Sequence, residues 1–334
     1  MAKIGIAGSG TWGTALSIHL INTGHEVTLW SALKDEIEEI GRTGEHRNLP
    51  GVKLPGGICY TASDEELCRD KDIIVLSVPS IFTRQTARRL APCIREDQIV
   101  LNVAKGIEEG SLLTQTEITE AELPKAQVCV LSGPSHAEEV SRGLPTAVVV
   151  GAGKRETAEF IQNVFMSPVF RVYTSSDIRG IEIGGSLKNV IALAAGMSDG
   201  LGYGDNALAA LITRGIAEMS RLGKAMDCDP ETFFGLTGIG DLIVTCGSRH
   251  SRNRRAGVLI GKGKSVKEAM DEVQMVVEGV YSAKAGKQLA EKYQVSMPIV
   301  EEVNRILFED KAASEAVKDL MCRDKREEHA AVKW

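Results

Sequence analysis

No stretch of the chain approaches the ~20 consecutive apolar residues that a membrane span needs. Its start, Met1-Ala2-Lys3-Ile4-Gly5-Ile6, passes directly into a β-branched run and leaves no room for a signal peptide. A cytoplasmic protein without a membrane partner is expected. Proline is scarce in one half: of ten, only Pro230 and Pro298 follow Pro168, so the second half can hold long uninterrupted helices. The seven cysteines, Cys59, Cys68, Cys93, Cys129, Cys228, Cys246 and Cys322, form no C-x-x-C pair, and the histidines neither pair at helical spacing nor stand beside cysteines. Reduced thiols and no metal site are the expectation. Positive charge is in deficit, 39 Lys and Arg against 45 Asp and Glu, for a net charge of -6. That balance argues against a nucleic-acid partner. One basic patch, Arg249 to Arg255, stands against it but lacks the interleaved aromatics of a nucleic-acid surface. Internal repeats and low-complexity segments are also absent.

A chain of 334 residues exceeds the size at which one core usually keeps growing, so two domains are expected. Short β-branched runs near 3–7, 26–30, 73–78, 98–103, 128–132, 146–150 and 169–173 alternate with amphipathic stretches, the pattern of a parallel, doubly wound sheet. Ile73 to Val78 is apolar on both faces, as a strand covered by helices on each side must be. Beyond residue 176 the pattern changes to 3.6-residue windows at about 178–198, 206–226, 279–293, 299–308 and 314–322. The charged stretch Arg323 to Trp334 is expected to fray.

Gly8-Ser9-Gly10-Thr11-Trp12-Gly13 fits G-x-G-x-x-G, directly after the first strand and opening an apolar helix. In that context Gly8 allows a tight turn, Gly10 lets a pyrophosphate approach the backbone, and Gly13 lets helix pack on strand, with free N–H groups facing the anion. The fold class that follows is α/β: a Rossmann-type doubly wound sheet at residues 1–175, then an all-α C-terminal domain at 176–334. In NAD-specific enzymes an Asp or Glu closes the second strand; here Val27-Thr28-Leu29-Trp30 is followed by Ser31-Ala32-Leu33-Lys34. Ser31 and Lys34 could hold a 2'-phosphate, which predicts NADPH used at least as well as NADH. Lys34 on a solvated first turn is the alternative.

A ketone accepting hydride develops negative charge on oxygen, so a reductase needs a proton donor or cation there. Lys188 sits in Gly184-Gly185-Ser186-Leu187-Lys188-Asn189-Val190-Ile191-Ala192, with no carboxylate on its own face and with glycines that would leave room for a ligand. Desolvation there would lower its pKa from about 10.4 toward 7–8, which suits a general acid. A snorkelling lysine with its head in water is the other reading. Ser251-Arg252-Asn253 offers a helix N-terminus where a cap, a guanidinium fork and free N–H groups would meet an anion such as a phosphate.

Taken in order, the Gly8 turn, Asn102-Val103-Ala104-Lys105-Gly106, Leu131-Ser132-Gly133-Pro134-Ser135-His136-Ala137, Gly184 to Asn189, Gly238-Ile239-Gly240-Asp241-Leu242, His250 to Asn253 and Val277-Glu278-Gly279 resemble the bacterial NAD(P)-dependent glycerol-3-phosphate dehydrogenases over almost the whole chain. The resemblance implies reversible reduction of dihydroxyacetone phosphate to sn-glycerol 3-phosphate for glycerophospholipid synthesis, with NADP(H) and NAD(H) as cofactors, and a homodimer. It implies Lys188 as the proton carrier and Asp241 as the carboxylate that orients it. Lys105 would touch both substrate and nucleotide, and Gly133, Ser135, Asn189 and Thr245 would line the substrate side. Ser251, Arg252 and Asn253 would hold the phosphate, with Arg252 also reaching the cofactor. Gly8 to Gly13, Ser31, Ala137, Val276 and Glu278 would hold the nucleotide. One departure stands out: Ala32-Leu33 replaces the His-Arg or similar polar pair that the family often carries, which leaves the 2'-phosphate grip open. Two rivals remain at this stage. A ketopantoate or β-hydroxyacid type reductase would share the turn and the lysine but not need the phosphate cluster, and a nucleotide-sensing module would need neither Lys188 nor Asp241.

Overall fold

The alternating runs of the first half become one eight-stranded sheet in the computed structural model, which describes residues 1–325, 327 and 328. In chain order the elements are β1 (Lys3–Ala7), α1 (Thr11–Asn22), β2 (Glu26–Trp30), α2 (Lys34–Thr43), β3 (Cys59–Thr61), α3 (Asp64–Cys68), β4 (Ile73–Leu76), α4 (Thr83–Leu90), β5 (Ile99–Asn102), α5 (Gln115–Glu122), β6 (Gln127–Ser132), α6 (Ala137–Val140), β7 (Thr146–Ala152), α7 (Arg155–Phe165) and β8 (Phe170–Ser175). The sheet order is β3-β2-β1-β4-β5-β6-β7-β8. β1 therefore has β2 on one side and β4 on the other, and the crevice where the order reverses opens at the C-terminal ends of the strands. Ile4, Ile6, Val75 and Leu101 point to one apolar layer, while Ala7, Ile74, Leu76 and Val100 point to the other. Both faces are dry because helices cover both.

Two details depart from the expected sheet. β3 is an edge strand of three residues, too short to show a period. β7 runs antiparallel to β6. The connection between them holds only the single-turn α6, and a parallel return needs a full crossover element across the sheet face. The chain instead doubles back and leaves residues 133–137 at the mouth of the crevice.

The second half is helical: α8 (Ile178–Gly200), α9 (Asp205–Ala225), α10 (Pro230–Phe234), α11 (Asp241–Gly247), α12 (Arg252–Gly261), α13 (Val266–Val273), α14 (Glu278–Lys292), α15 (Pro298–Phe308) and α16 (Ala313–Met321). Five agree with the expected windows; α10 to α13 are short, of five to ten residues, and were not among them. α8 is buried all round from Gly180 to Ser198. It takes α12 at backbone distance: a Cβ on Gly196 would lie 2.1 Å from the Arg254 carbonyl oxygen, and one on Gly257 2.2 Å from that of Leu193. This close seam fixes the first turn of α12 over the middle of α8. The frayed tail expected from Arg323 to Trp334 falls in part on positions 326 and 329–334, outside the described residues. Among the described residues, no helix is long and apolar enough to cross a membrane.

Candidate active site

A crevice of about 420 Å³ lies between the sheet's C-terminal edge and the helical half. Its walls include Gly10, Thr11, Trp12, Lys105, Ser135, Ala137, Lys188, Asn189, Thr245, Ser251, Arg252, Asn253, Val276 and Glu278. Gly8, Ser9, Gly13, Gly133 and Asp241 stand immediately behind these walls as supports. Ser31 does not face the crevice in the expected way; it is buried, and its hydroxyl accepts from the Leu33 amide at 3.2 Å. Lys34 is exposed and reaches along α2 to Glu38, 3.6 Å away.

The turn fits a dinucleotide's pyrophosphate on steric grounds. A Cβ on Gly8, whose φ is +124°, would meet the Ser77 carbonyl oxygen at 2.6 Å, and one on Gly13 would meet the Gly8 carbonyl oxygen at 2.0 Å, whereas a Cβ on Gly10 would meet nothing within 4 Å. Two of these glycines are therefore demanded by the protein's own packing. The third opens the N-terminus of α1 to the crevice, which is what close approach by an anion requires.

The floor of the crevice is a cluster of three charges drawn from three elements. Lys188, 5% exposed in the middle of α8, donates from Nζ to Asp241 Oδ1 and to Thr245 Oγ1, both at 2.7 Å. Lys105, from the loop after β5, donates to Asp241 Oδ2 at 2.6 Å and to the Gly133 carbonyl at 2.9 Å. Asp241 opens α11 directly after a wide π-turn, Leu236–Gly240, and Thr245 follows one turn later, its hydroxyl donating back to the Asp241 carbonyl at 2.6 Å. A carboxylate in a helix's first turn also gains from the helix dipole. Gly184 and Gly185 make room for protein and not for a ligand: added Cβ atoms would meet the Thr237 carbonyl oxygen at 2.9 Å and Ser132 Oγ at 3.0 Å. That corrects the expectation drawn from the sequence.

Burial pulls the Lys188 ammonium down to about 8; Asp241 opposes that shift and Lys105 adds to it. Burial alone would raise the Asp241 carboxyl, but Lys105 and then Lys188 outweigh it and hold it below its ordinary value. The result is one ionised carboxylate shared by two ammonium groups, of which Lys188 can lose its proton near neutral pH. Two of the three Lys188 N–H bonds are used within the cluster, so one remains for a ligand oxygen at the crevice floor.

Beside this floor, Ser251 caps α12 by accepting from the Arg254 amide at 3.2 Å. Asn253 donates to Asn189 Oδ1 at 2.9 Å and accepts from the Gly279 amide at 2.8 Å, which ties α12, α8 and α14 together. Arg252 donates to the Val276 carbonyl at 3.4 Å, and burial lowers its pKa. Glu278 opens α14 and accepts from the Ser80 amide at 3.1 Å; burial raises its pKa. Ser135 donates to the Gly133 carbonyl at 2.9 Å.

Several wall residues were not assigned a role from the sequence. Glu36, His46, Arg47 and Asn48 line the end of the crevice next to Gly10 to Trp12, and His136 and His250 stand near Lys188 with ring centres 6.0 Å apart. His136 directly follows Ser135 in a segment already singled out, so it was within reach; the loop 46–48 lies far from every motif.

The comparisons agree with this geometry. Residues 3–158 match the family described as NAD-dependent glycerol-3-phosphate dehydrogenase N-terminus, and residues 177–318 match its C-terminus. The chain is 61% identical to glycerol-3-phosphate dehydrogenase [NAD(P)+] of Agathobacter rectalis, with 100% of each covered. It is 56% identical to the protein of the same name from Fusobacterium nucleatum, over 98% of each. Among solved structures, glycerol-3-phosphate dehydrogenase from Coxiella burnetii superposes with a TM-score of 0.93 at 37% identity, covering 96% of this chain and 99% of that one. The chain belongs to the NAD-dependent glycerol-3-phosphate dehydrogenase family.

Proposed function

We propose that the protein interconverts dihydroxyacetone phosphate and sn-glycerol 3-phosphate with NAD(P)(H), supplying sn-glycerol 3-phosphate for glycerophospholipid synthesis. The observation that carries this reading is the buried Lys188 ammonium, braced on Asp241 at the crevice floor with one N–H left for a ligand oxygen and Arg252 and Asn253 close by. The nicotinamide, when bound, supplies the hydride to carbon 2 or takes it away. Lys188 gives its proton to the oxygen on that carbon during reduction and receives it during oxidation. Asp241 and Thr245 hold the Lys188 nitrogen in one position, so little reorganisation accompanies the charge that develops on the oxygen. Lys105, fixed on the other oxygen of Asp241, adds a second positive charge over substrate and nucleotide. Ser251, Arg252 and Asn253 hold the phosphate, with Asn189, Gly133 and Ser135 shaping the substrate side. The Gly8 turn, Ala137, Val276 and Glu278 take the nucleotide.

A keto-acid reductase of related architecture would carry its charge on a carboxylate; the guanidinium and amide groups at the start of α12 favour a phosphate. A nucleotide-sensing module would have no use for a buried Lys–Asp–Lys cluster. The test is the consumption of NADH or NADPH on adding dihydroxyacetone phosphate, with ketopantoate as the comparison substrate. Turnover only with ketopantoate, or with neither, overturns the reading.

We also take residues 1–175 and 176–334 as the two domains, and the active form as a cytoplasmic homodimer without a nucleic-acid partner. Phe234 and Ile243, each more than half exposed on the helical half, are apolar surface that a second subunit would cover.

A further inference from the structure

Hydride transfer at Lys188 dictates how a dinucleotide lies in the crevice. Lys188 and Lys105 are on the β4 and β5 side of β1, and the pyrophosphate cradle is at the Gly8 turn. The adenosine half must then run the other way, over β2 and the start of α2. The wall there is Glu36, His46, Arg47 and Asn48. Glu36 Oε1 accepts from the Ser9 hydroxyl at 2.9 Å, so its carboxylate lies beside the phosphate cradle, where the adenosine ribose must join. His46 stands behind it, 4% exposed, with Nδ1 accepting from the Asn48 amide at 3.1 Å. Burial lowers the His46 pKa, with the nearby Glu36 carboxylate opposing that shift, so the ring brings no positive charge at neutral pH. Of the two residues that the sequence offers as a 2'-phosphate grip, Ser31 is buried and accepts from the Leu33 amide, and Lys34 stands exposed on α2 beside Glu38 and is not part of the crevice wall.

We propose that Glu36, reaching in from the first turn of α2, replaces the carboxylate missing at the end of β2, accepts the ribose 2'-hydroxyl and makes NADH the preferred cofactor. A 2'-hydroxyl donates to a carboxylate, whereas a 2'-phosphate placed there would face a like charge without a proton to offer. Arg47, exposed on the same wall, is the cation that would hold a 2'-phosphate if this assignment were wrong. The inference rests on the crevice being the dinucleotide site.

The experiment compares kcat/KM for NADH and NADPH, at saturating dihydroxyacetone phosphate, in the full-length protein and in Glu36→Gln and Arg47→Ala. Dissociation constants for both nucleotides are measured in parallel from tryptophan fluorescence without substrate. The expected result is a wild-type preference for NADH of at least about tenfold, a shift of the ratio toward NADPH by about tenfold or more in Glu36→Gln, and a retained NADH preference in Arg47→Ala. Glu36 is half-exposed, and unchanged melting of the variant establishes that the fold survives. A wild-type preference for NADPH that disappears in Arg47→Ala overturns the proposal, as does a Glu36→Gln ratio within about twofold of wild type. Loss of turnover with NADH binding preserved would refute the reaction while leaving the role of Glu36 standing; failure of both nucleotides to bind overturns both.

Discussion

Replacing Lys188 by alanine tests the centre of the mechanism. The side chain gives two 2.7 Å hydrogen bonds, to Asp241 and Thr245, and lines the crevice with one N–H unused by these contacts. Removing a positioned general acid usually costs about 10² to 10⁴ in rate, or roughly 3–5 kcal/mol of barrier at about 1.36 kcal/mol per factor of ten. Lys105 stays on Asp241 Oδ2 at 2.6 Å as a second ammonium, so the lower end, a loss of kcat of about 10², is the expectation. The same retained contact protects the fold. Asp241 is 1% exposed, and stripping a buried carboxylate of its partner costs about 3–5 kcal/mol, but here one cation remains and only part of that is lost. Lys188→Met, which refills the volume of the stem, serves as the control. Nicotinamide oxidation is followed against pH. In the wild type kcat/KM for ketone reduction falls as pH rises through about 8, because the neutral amine has no proton to give, and oxidation of the alcohol rises through the same value. Both limbs vanish in the variants, while nucleotide binding by tryptophan fluorescence is unchanged. A variant that keeps most of its turnover, or keeps the limb near 8, refutes Lys188 as the proton carrier.

Two further outcomes follow from contacts outside the lysine. Gly10→Ala should melt with the wild type, since its Cβ meets nothing within 4 Å, yet raise the KM for cofactor by filling the approach to the turn; Gly13→Ala, whose Cβ would lie 2.0 Å from the Gly8 carbonyl oxygen, should lower Tm directly. Equal melting of the two variants would contradict the division of labour among the glycines. Glu182 is fully enclosed and accepts from the Thr116 amide at 2.8 Å. Burial raises its pKa from 4.5 to about 7. A carboxyl raised in the folded state contributes its stability below the unfolded value and loses it as pH climbs through the folded one. Glu182→Gln should therefore melt above the wild type at pH 8 and show little difference at pH below 4.5, the ordinary value of the carboxyl, as read by calorimetry across that window. A difference independent of pH would mean that folding leaves the Glu182 carboxyl at its ordinary value.

Much of this protein was legible in its sequence because the features concerned are local or repeat with a short period. The G-x-G-x-x-G turn declares its backbone needs in six residues, β1, β2 and β4 to β8 follow from apolar runs, and α8, α9, α14, α15 and α16 from a 3.6-residue stripe. Lys188 could be singled out because its helical neighbours are small and apolar. Tertiary structure alone decided what lies across space. The resemblance already set Asp241 beside Lys188, but that Lys105 takes its other oxygen, across 136 residues of chain, appears only in the fold, and no periodicity relates such positions. Glu36 reaches the phosphate cradle only because α2 packs beside the turn, so the carboxylate sought at the end of β2 enters from a helix. β7 turns antiparallel because its connection carries a single helical turn, which a residue pattern does not reveal. Local propensity is written in neighbouring residues; the electrostatics of a buried site is the sum over groups that only folding brings within a few ångströms of one another.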